Sequence, residues 1–248
     1  MKHGDKNTKN FHSKASQRRR RNHIHGIKNA NEQWVKKMEE IAKIANNYFD
    51  SLFNAGVCDQ IQEYLNAVAH WITPDMHQIL SSKFIADEIK ATLFQMRPMK
   101  ASRPNGMNAL FYQKFWHIVG DKVVSAVLDY LNSSVILPDI NHTNIVLIPK
   151  VKNPKKMSDF RPISLCNVIY KIISKVLANR LKQILPTIIS LTQSAFVPGR
   201  LITDNILLAY ETLHTMHSRK KGKKGLLALK LDISKVYDWV EWTLLRHM

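Results

Sequence analysis

The sequence predicts an α+β fold dominated by helices, on three observations. Apolar residues recur at spacings of three and four in several separate stretches. Two shorter runs, Asn144–Pro149 and Leu226–Leu231, change both period and residue type to those of strands. The segments between them are rich in Lys, Arg, Pro and Gly, which make turns rather than core.

The charge bounds the partners. Lys and Arg number 37 against 19 Asp and Glu, a formal +18 over 248 residues, while apolar content is an ordinary 45%. Such an excess in several clusters favours a polyanion, with nucleic acid ahead of an anionic membrane surface. Cys58 and Cys166 are the only cysteines and form no C-x-x-C spacing, so no disulfide partner and no zinc site are expected. No apolar run reaches membrane-spanning length and the first residues lack a secretory apolar core. The expectation is therefore an intracellular protein, in nucleus or cytoplasm.

In chain order, residues 1–31 are polar, basic and short of aliphatic side chains, which reads as an arm. Arg18, Arg19, Arg20 and Arg21 make a block suited to nuclear import or to RNA binding. His23 and His25 form an H-x-H pair without a third metal ligand. Trp34, Met38, Ile41, Ala45, Tyr48 and Leu52 predict a helix over 32–53, and Ile85, Ile89 and Leu93 another over 86–96, ended before Pro98.

Lys100 to Gly106 is a turn segment leading into a helix with Leu110, Phe111, Phe115 and Trp116. Val123, Val124, Val127, Leu128 and Leu131 predict a further helix over 121–131. The strand Asn144–Pro149 runs into a basic turn, Lys150 to Lys156, and then a second β-segment through Ser158-Asp159-Phe160-Arg161-Pro162-Ile163-Ser164. That is a hairpin whose tip could meet a phosphate chain, Lys as a point charge and Arg as a fork, or could simply be solvated.

Residues 167–185 give the clearest helix, with Ile169, Ile172, Ile173, Val176, Leu177, Leu181, Ile184 and Leu185 on one face. Lys171, Lys175, Arg180 and Lys182 occupy the solvent side, and Pro186 is expected to stop the helix. Pro198-Gly199 makes a tight turn presenting Arg200, and Thr203 or Asp204 is placed to cap a helix carrying Ile206, Leu207, Tyr210 and Leu213. A cationic connector, 218–225, leads to Leu226–Leu231, a core strand with Leu227, Leu229 and Leu231 on one parity. Asp232 stands at its carboxyl end, where a carboxylate can hold a hard cation, and Asp238 is a helix N-cap with Glu241 three residues on.

Four blocks in order then carry a resemblance. L-D-I-S-K-V-Y-D at 231–238 resembles the first catalytic-Asp motif of reverse transcriptases, in the form found in plant non-LTR retrotransposons of the long interspersed element type. F-R-P-I-S at 160–164 and Q-S-A-F-V-P-G-R-L-I-T-D-N at 193–205 resemble further blocks of that family. The segments G-D-K-N-T-K-N-F-H and A-S-Q-R-R-R-R-N-H-I-H-G-I resemble its linker after an endonuclease domain. K-A-S-R-P-N-G at 100–106 departs from the family's K-A-P-G-P-D-G.

The resemblance implies the helix-rich fingers and a partial palm of a right-hand polymerase, with an incomplete palm sheet. Its segments would be 1–31 linker, 32–142 helical extension, 143–225 fingers and 226–248 the start of the palm. It implies RNA template, DNA primer and deoxynucleoside triphosphates as partners, and Mg²⁺ as cofactor, with Mn²⁺ as the alternative ion. By position, Lys150 and Arg161 would contact the nucleotide, and Gln193 and Arg200 the nucleic-acid backbone. Asp232 would be the catalytic carboxylate and, with the carbonyl of Ile233, a metal ligand. The N–H groups of Lys235 and Val236 would face the triphosphate, and Tyr237 would crowd out a 2′-hydroxyl.

Val236 replaces the family's Ala and Trp239 its Arg. No Asp-Asp pair occurs in the chain, so the expectation is a fragment inactive alone, two-metal transfer needing more than one carboxylate. The alternative is a non-catalytic RNA-binding protein derived from a retroelement.

Overall fold

The computed structural model describes residues 9–54, 61–68, 72–99, 107–133, 135, 138–219, 225–231 and 242–247. Its elements in chain order are α1 (Lys9–Asn22), β1 (Ile27–Lys28), β2 (Trp34–Val35), α2 (Met38–Phe53), α3 (Ile61–Val68), α4 (Pro74–Ser81), α5 (Ala86–Phe94) and α6 (Ala109–Lys114). There follow α7 (Trp116–Ser133), α8 (Pro138–Asn141), β3 (Asn144–Pro149), β4 (Phe160–Leu165), α9 (Val168–Ile188), α10 (Ile202–Ser218) and α11 (Trp242–His247). Helices and two small antiparallel sheets make this an α+β chain. It divides into two compact units, one of residues 1–54, 101–106 and 141–167, the other of 55–100, 107–140 and 168–248.

The first unit is built on β3 and β4, which pair in register from Asn144↔Leu165 to Pro149↔Phe160. Alternation sends Leu147 and Phe160 inward and leaves Val146, Ile148, Ile163 and Arg161 on the other face. Phe160 and Met157 pack with Ile27 and Ile41, and burying side chains of this size is worth roughly 1.5–3 kcal/mol each. The basic segment after α1 thus contributes Ile27, fully buried, to the core.

Helix α2 starts six residues later than the periodicity predicts, at Met38 rather than residue 32. The Asn29 side chain is the reason. Its Oδ1 accepts from the N–H groups of Asn31 (3.0 Å) and Gln33 (2.9 Å), closing a turn that pairs Trp34 with Lys28 and Val35 with Ile27. Trp34 instead lies across Gly26, where a Cβ would fall 2.6 Å from the indole.

In the second unit α5, α7 and α9 share one core of Ile89, Leu93, Val123, Val127, Ile172, Ile173 and Val176. Asn108 caps α6 through the Phe111 N–H (3.2 Å), and Gln113 of α6 donates to the Leu93 carbonyl in α5 (2.9 Å) and to the Met96 carbonyl just after it (3.0 Å). Helix α7 begins at Trp116, not at residue 121, because the break falls at Phe115 (φ −103°, ψ 24°). Trp116 can then fold back along its own helix onto the buried Gly120.

Three further expectations are corrected here. Pro186 does not stop α9, which continues to Ile188; proline forfeits only its own N–H bond, and the helix-end carbonyls of Pro186 and Ile189 are taken up by Arg200. Neither Thr203 nor Asp204 is the N-cap of α10: the position is Leu201, whose carbonyl accepts from the Asp204 N–H (3.2 Å). Leu226–Leu231 is not a strand but irregular chain, with Leu227 90% and Leu231 77% exposed. A strand exists only when a neighbour takes its backbone groups, and no described residue pairs with this segment.

Candidate nucleotide and nucleic-acid interface

The β3–β4 turn is an organised loop. Asp159 Oδ2 accepts from the backbone N–H of Lys155 (2.8 Å) and of Lys156 (2.9 Å), while its carbonyl accepts from the Lys150 N–H (2.7 Å). Those two N–H donors hold the Asp159 carboxyl below the usual carboxylate range. The Lys28 N–H donates to the Lys155 carbonyl (2.8 Å), which ties β1 to the same loop.

Glu32, at positive φ (61°) in the β1–β2 turn, completes the arrangement. Its two oxygens meet Lys156 Nζ (2.5 Å) and Lys28 Nζ (2.7 Å). The hydrogen bond from Lys156 first, then that from Lys28, lowers its pKa to about 2, and the same contact raises that of Lys156. The loop's lysines Lys152, Lys155 and Lys156 are all exposed, and Lys156 is the one matched by Glu32.

Lys150 and Arg161 flank this loop, the first just after β3 and the second on β4. Lys150 Nζ donates to the Ser158 carbonyl (2.9 Å), and its charge is felt by the nearby Asp159 carboxylate. Arg161 lies on β4 opposite Ile148, exposed, on the face shared with Val146 and Ile163. An extended guanidinium beside an apolar surface suits a bidentate hold on phosphate. Asp159 and Glu32 were not picked out as functional by the sequence reading; the only signal was one carboxylate inside a run of lysines.

Arg18, Arg19, Arg20 and Arg21 form the end of α1, a helix with no acidic residue and no buried side chain. Among the described residues the arm is therefore helical here, and the arginines point around its circumference.

In the second unit, Gln193 is exposed and its N–H donates to the Ser190 carbonyl (3.0 Å). Gly199, at φ +79°, turns the chain so that Arg200 reaches back to the end of α9. Its guanidinium donates to the carbonyls of Gln193 (2.7 Å), Pro186 (3.1 Å), Ile189 (3.1 Å) and Ser190. A cation there also complements the negative end of the helix dipole. Arg200 is half-buried and occupied in capping, and the neighbouring Ser194 donates to Asn205 Oδ1 (2.9 Å), pinning the loop to α10.

Asp232, Ile233, Lys235, Val236 and Tyr237 lie outside the described residues, as does Asp238. Among the described residues no three His, Cys, Asp or Glu side chains gather as a metal site. The described residues alone do not offer the carboxylates that a pair of divalent ions would need. No described helix is long and apolar enough to cross a membrane.

The sequence model of the reverse transcriptase (RNA-dependent DNA polymerase) family matches residues 148–247, from the end of β3 through α11. The chain is also similar to a Xenopus laevis protein described as the transposon TX1 uncharacterized 149 kDa protein. The two are 27% identical over 208 residues, which is 82% of this chain and 15% of that protein. The chain thus spans only a small part of the relative it matches. Over residues 148–247, where the β3–β4 hairpin loop, Arg161 and the Arg200 turn all lie, the chain is similar to the reverse transcriptase family.

Proposed function

We propose that this chain is part of a retrotransposon reverse transcriptase, of the non-LTR type, that holds nucleic acid through its basic hairpin and arm. The single observation that carries the reading is the hairpin after β3. Lys150 and Arg161, the two positions that the family resemblance assigns to the incoming nucleotide, sit at one end of it, with a carboxylate-ordered lysine loop between them.

In this reading Lys150 and Arg161 engage the triphosphate, and the N–H groups of Lys235 and Val236 assist. Tyr237 selects against a 2′-hydroxyl, and Asp232 with the Ile233 carbonyl contributes one side of a magnesium site. RNA is the template and DNA the primer. Phosphoryl transfer by two metals needs the ions held about 3.5–4 Å apart by several carboxylates, and this polypeptide contains no Asp-Asp pair. It is therefore proposed to bind but not to polymerise by itself. Gln193 remains a candidate for backbone contact; Arg200 supports that role only by holding its loop.

Primer extension by the chain with added Mg²⁺ or Mn²⁺ tests the inactivity, and clear template-dependent synthesis defeats it. Filter binding of RNA across a salt series tests the interface. A log–log slope near zero removes the nucleic-acid reading, since phosphate contacts release counterions. The alternative, a non-catalytic RNA-binding protein, is favoured by α1, and is separated by nucleotide binding. Arg161→Ala abolishes triphosphate binding under the first reading and has no such target under the second.

A further inference from the structure

Helix α1 and the two histidines after it form a groove that the four-arginine block does not foreshadow. Ser16, Arg19, Arg20, His23 and His25 line an open groove of about 620 Å³. At 3.6 residues per turn, Arg18 and Arg21 lie about 150° around the helix from the centre of that face. The block is thus split in two, and only half of it addresses the groove. Lys9 and His12 share the grooved face by the same helical spacing.

The lining has one chemical character. It combines guanidinium, hydroxyl and imidazole groups, with no carboxylate on α1 and every one of these side chains exposed. The imidazoles of His23 and His25 stand with centroids 4.6 Å apart and planes tilted by 45°. Their backbone is fixed from behind, because Gly26 and Ile27 are buried beneath Trp34 and in the unit's core. Arginine forks bind phosphate oxygens, and an exposed imidazole offers a face to an unstacked base. A duplex keeps its bases stacked and could use only the first of these.

We infer that this groove is a binding site for a single-stranded polynucleotide. Arg19 and Arg20 hold consecutive phosphates, and His23 with His25 receives a base. This rests on the nucleic-acid-binding reading above and narrows it to one face of one helix.

The test uses the full chain and a fluorescent 20-nucleotide oligouridylate, with a duplex RNA of equal length as comparison. Arg19→Ala/Arg20→Ala and Arg18→Ala/Arg21→Ala remove the same charge. The first pair is expected to weaken oligouridylate binding ~30-fold and to lower the log–log salt slope by about 1.4, two single-strand phosphate contacts. The second pair changes affinity less than about 3-fold. His23→Ala/His25→Ala is expected to weaken oligouridylate by several fold and leave the duplex unchanged; circular dichroism checks that each variant folds.

Equal losses from the two arginine pairs reduce the groove to diffuse charge and overturn the inference. So does a histidine pair without effect, or phosphatidylserine vesicles binding as tightly with the same residue dependence. If the unaltered chain shows no salt-dependent RNA binding, the broader reading falls with it, which distinguishes the two failures.

Discussion

Arg180 of α9 and Glu88 of α5 meet as a two-point ion pair, Nε to Oε1 and Nη2 to Oε2, both at 2.9 Å. The guanidinium, 5% exposed, also donates to the carbonyls of Leu80 (3.2 Å), Lys83 (2.9 Å) and Ser82, and lies 3.7 Å from the centroid of the Phe84 ring. One side chain therefore satisfies the end of α4, the loop after it and the first turn of α5. The helical wheel places Arg180 among the solvent-side cations of α9; the structure buries it instead, where Glu88 and three carbonyls hold it.

Because a buried charge without its partner is costly, Glu88→Ala should lower stability by ~3 kcal/mol and Arg180→Ala by ~3–5 kcal/mol. Urea unfolding measures both. The double variant should lose less than the sum, and strict additivity would show that the pair is not coupled.

The Glu32 carboxylate gives a pH dependence with a defined sign. Its pKa falls from 4.5 to about 2 on folding, so the contribution is present above 4.5 and is lost as pH drops through about 2. Asp159, also lowered, acts in the same direction. Acid titration of the folded chain followed by near-ultraviolet dichroism should show Glu32→Gln flattening the response between those values. As the pair is exposed, added salt should shrink the effect.

Gly26→Ala tests the Trp34 contact. The new Cβ would stand 2.6 Å from the indole, which must swing outward. We expect a loss of ~1 kcal/mol and a red-shifted tryptophan emission that Trp34→Phe abolishes. An unchanged spectrum would place the indole elsewhere.

For Arg200, capping predicts local rather than global loss. Arg200→Ala should raise amide hydrogen exchange at the end of α9, over residues 187–189, and cost ~1 kcal/mol. Arg200→Lys should not restore protection, since one ammonium cannot serve four carbonyls.

What the sequence determined by itself was whatever is local. The strand Asn144–Pro149 has the bounds its residue types predicted, and Ile172, Ile173, Val176 and Ile184 of the predicted α9 face are buried, although Leu177 and Leu181 of that face stay exposed; the reverse transcriptase motifs lie within the matched residues. The tertiary structure alone decided where charges and edges found partners. Arg180 is buried because Glu88, 92 residues earlier, comes to meet it, and no helical period encodes so distant a contact. Leu226–Leu231 has strand residues but no described strand beside it, so it stays irregular and exposed. Periodicity fixes which face of an element is apolar; burial and pairing depend on what the rest of the chain brings to that face.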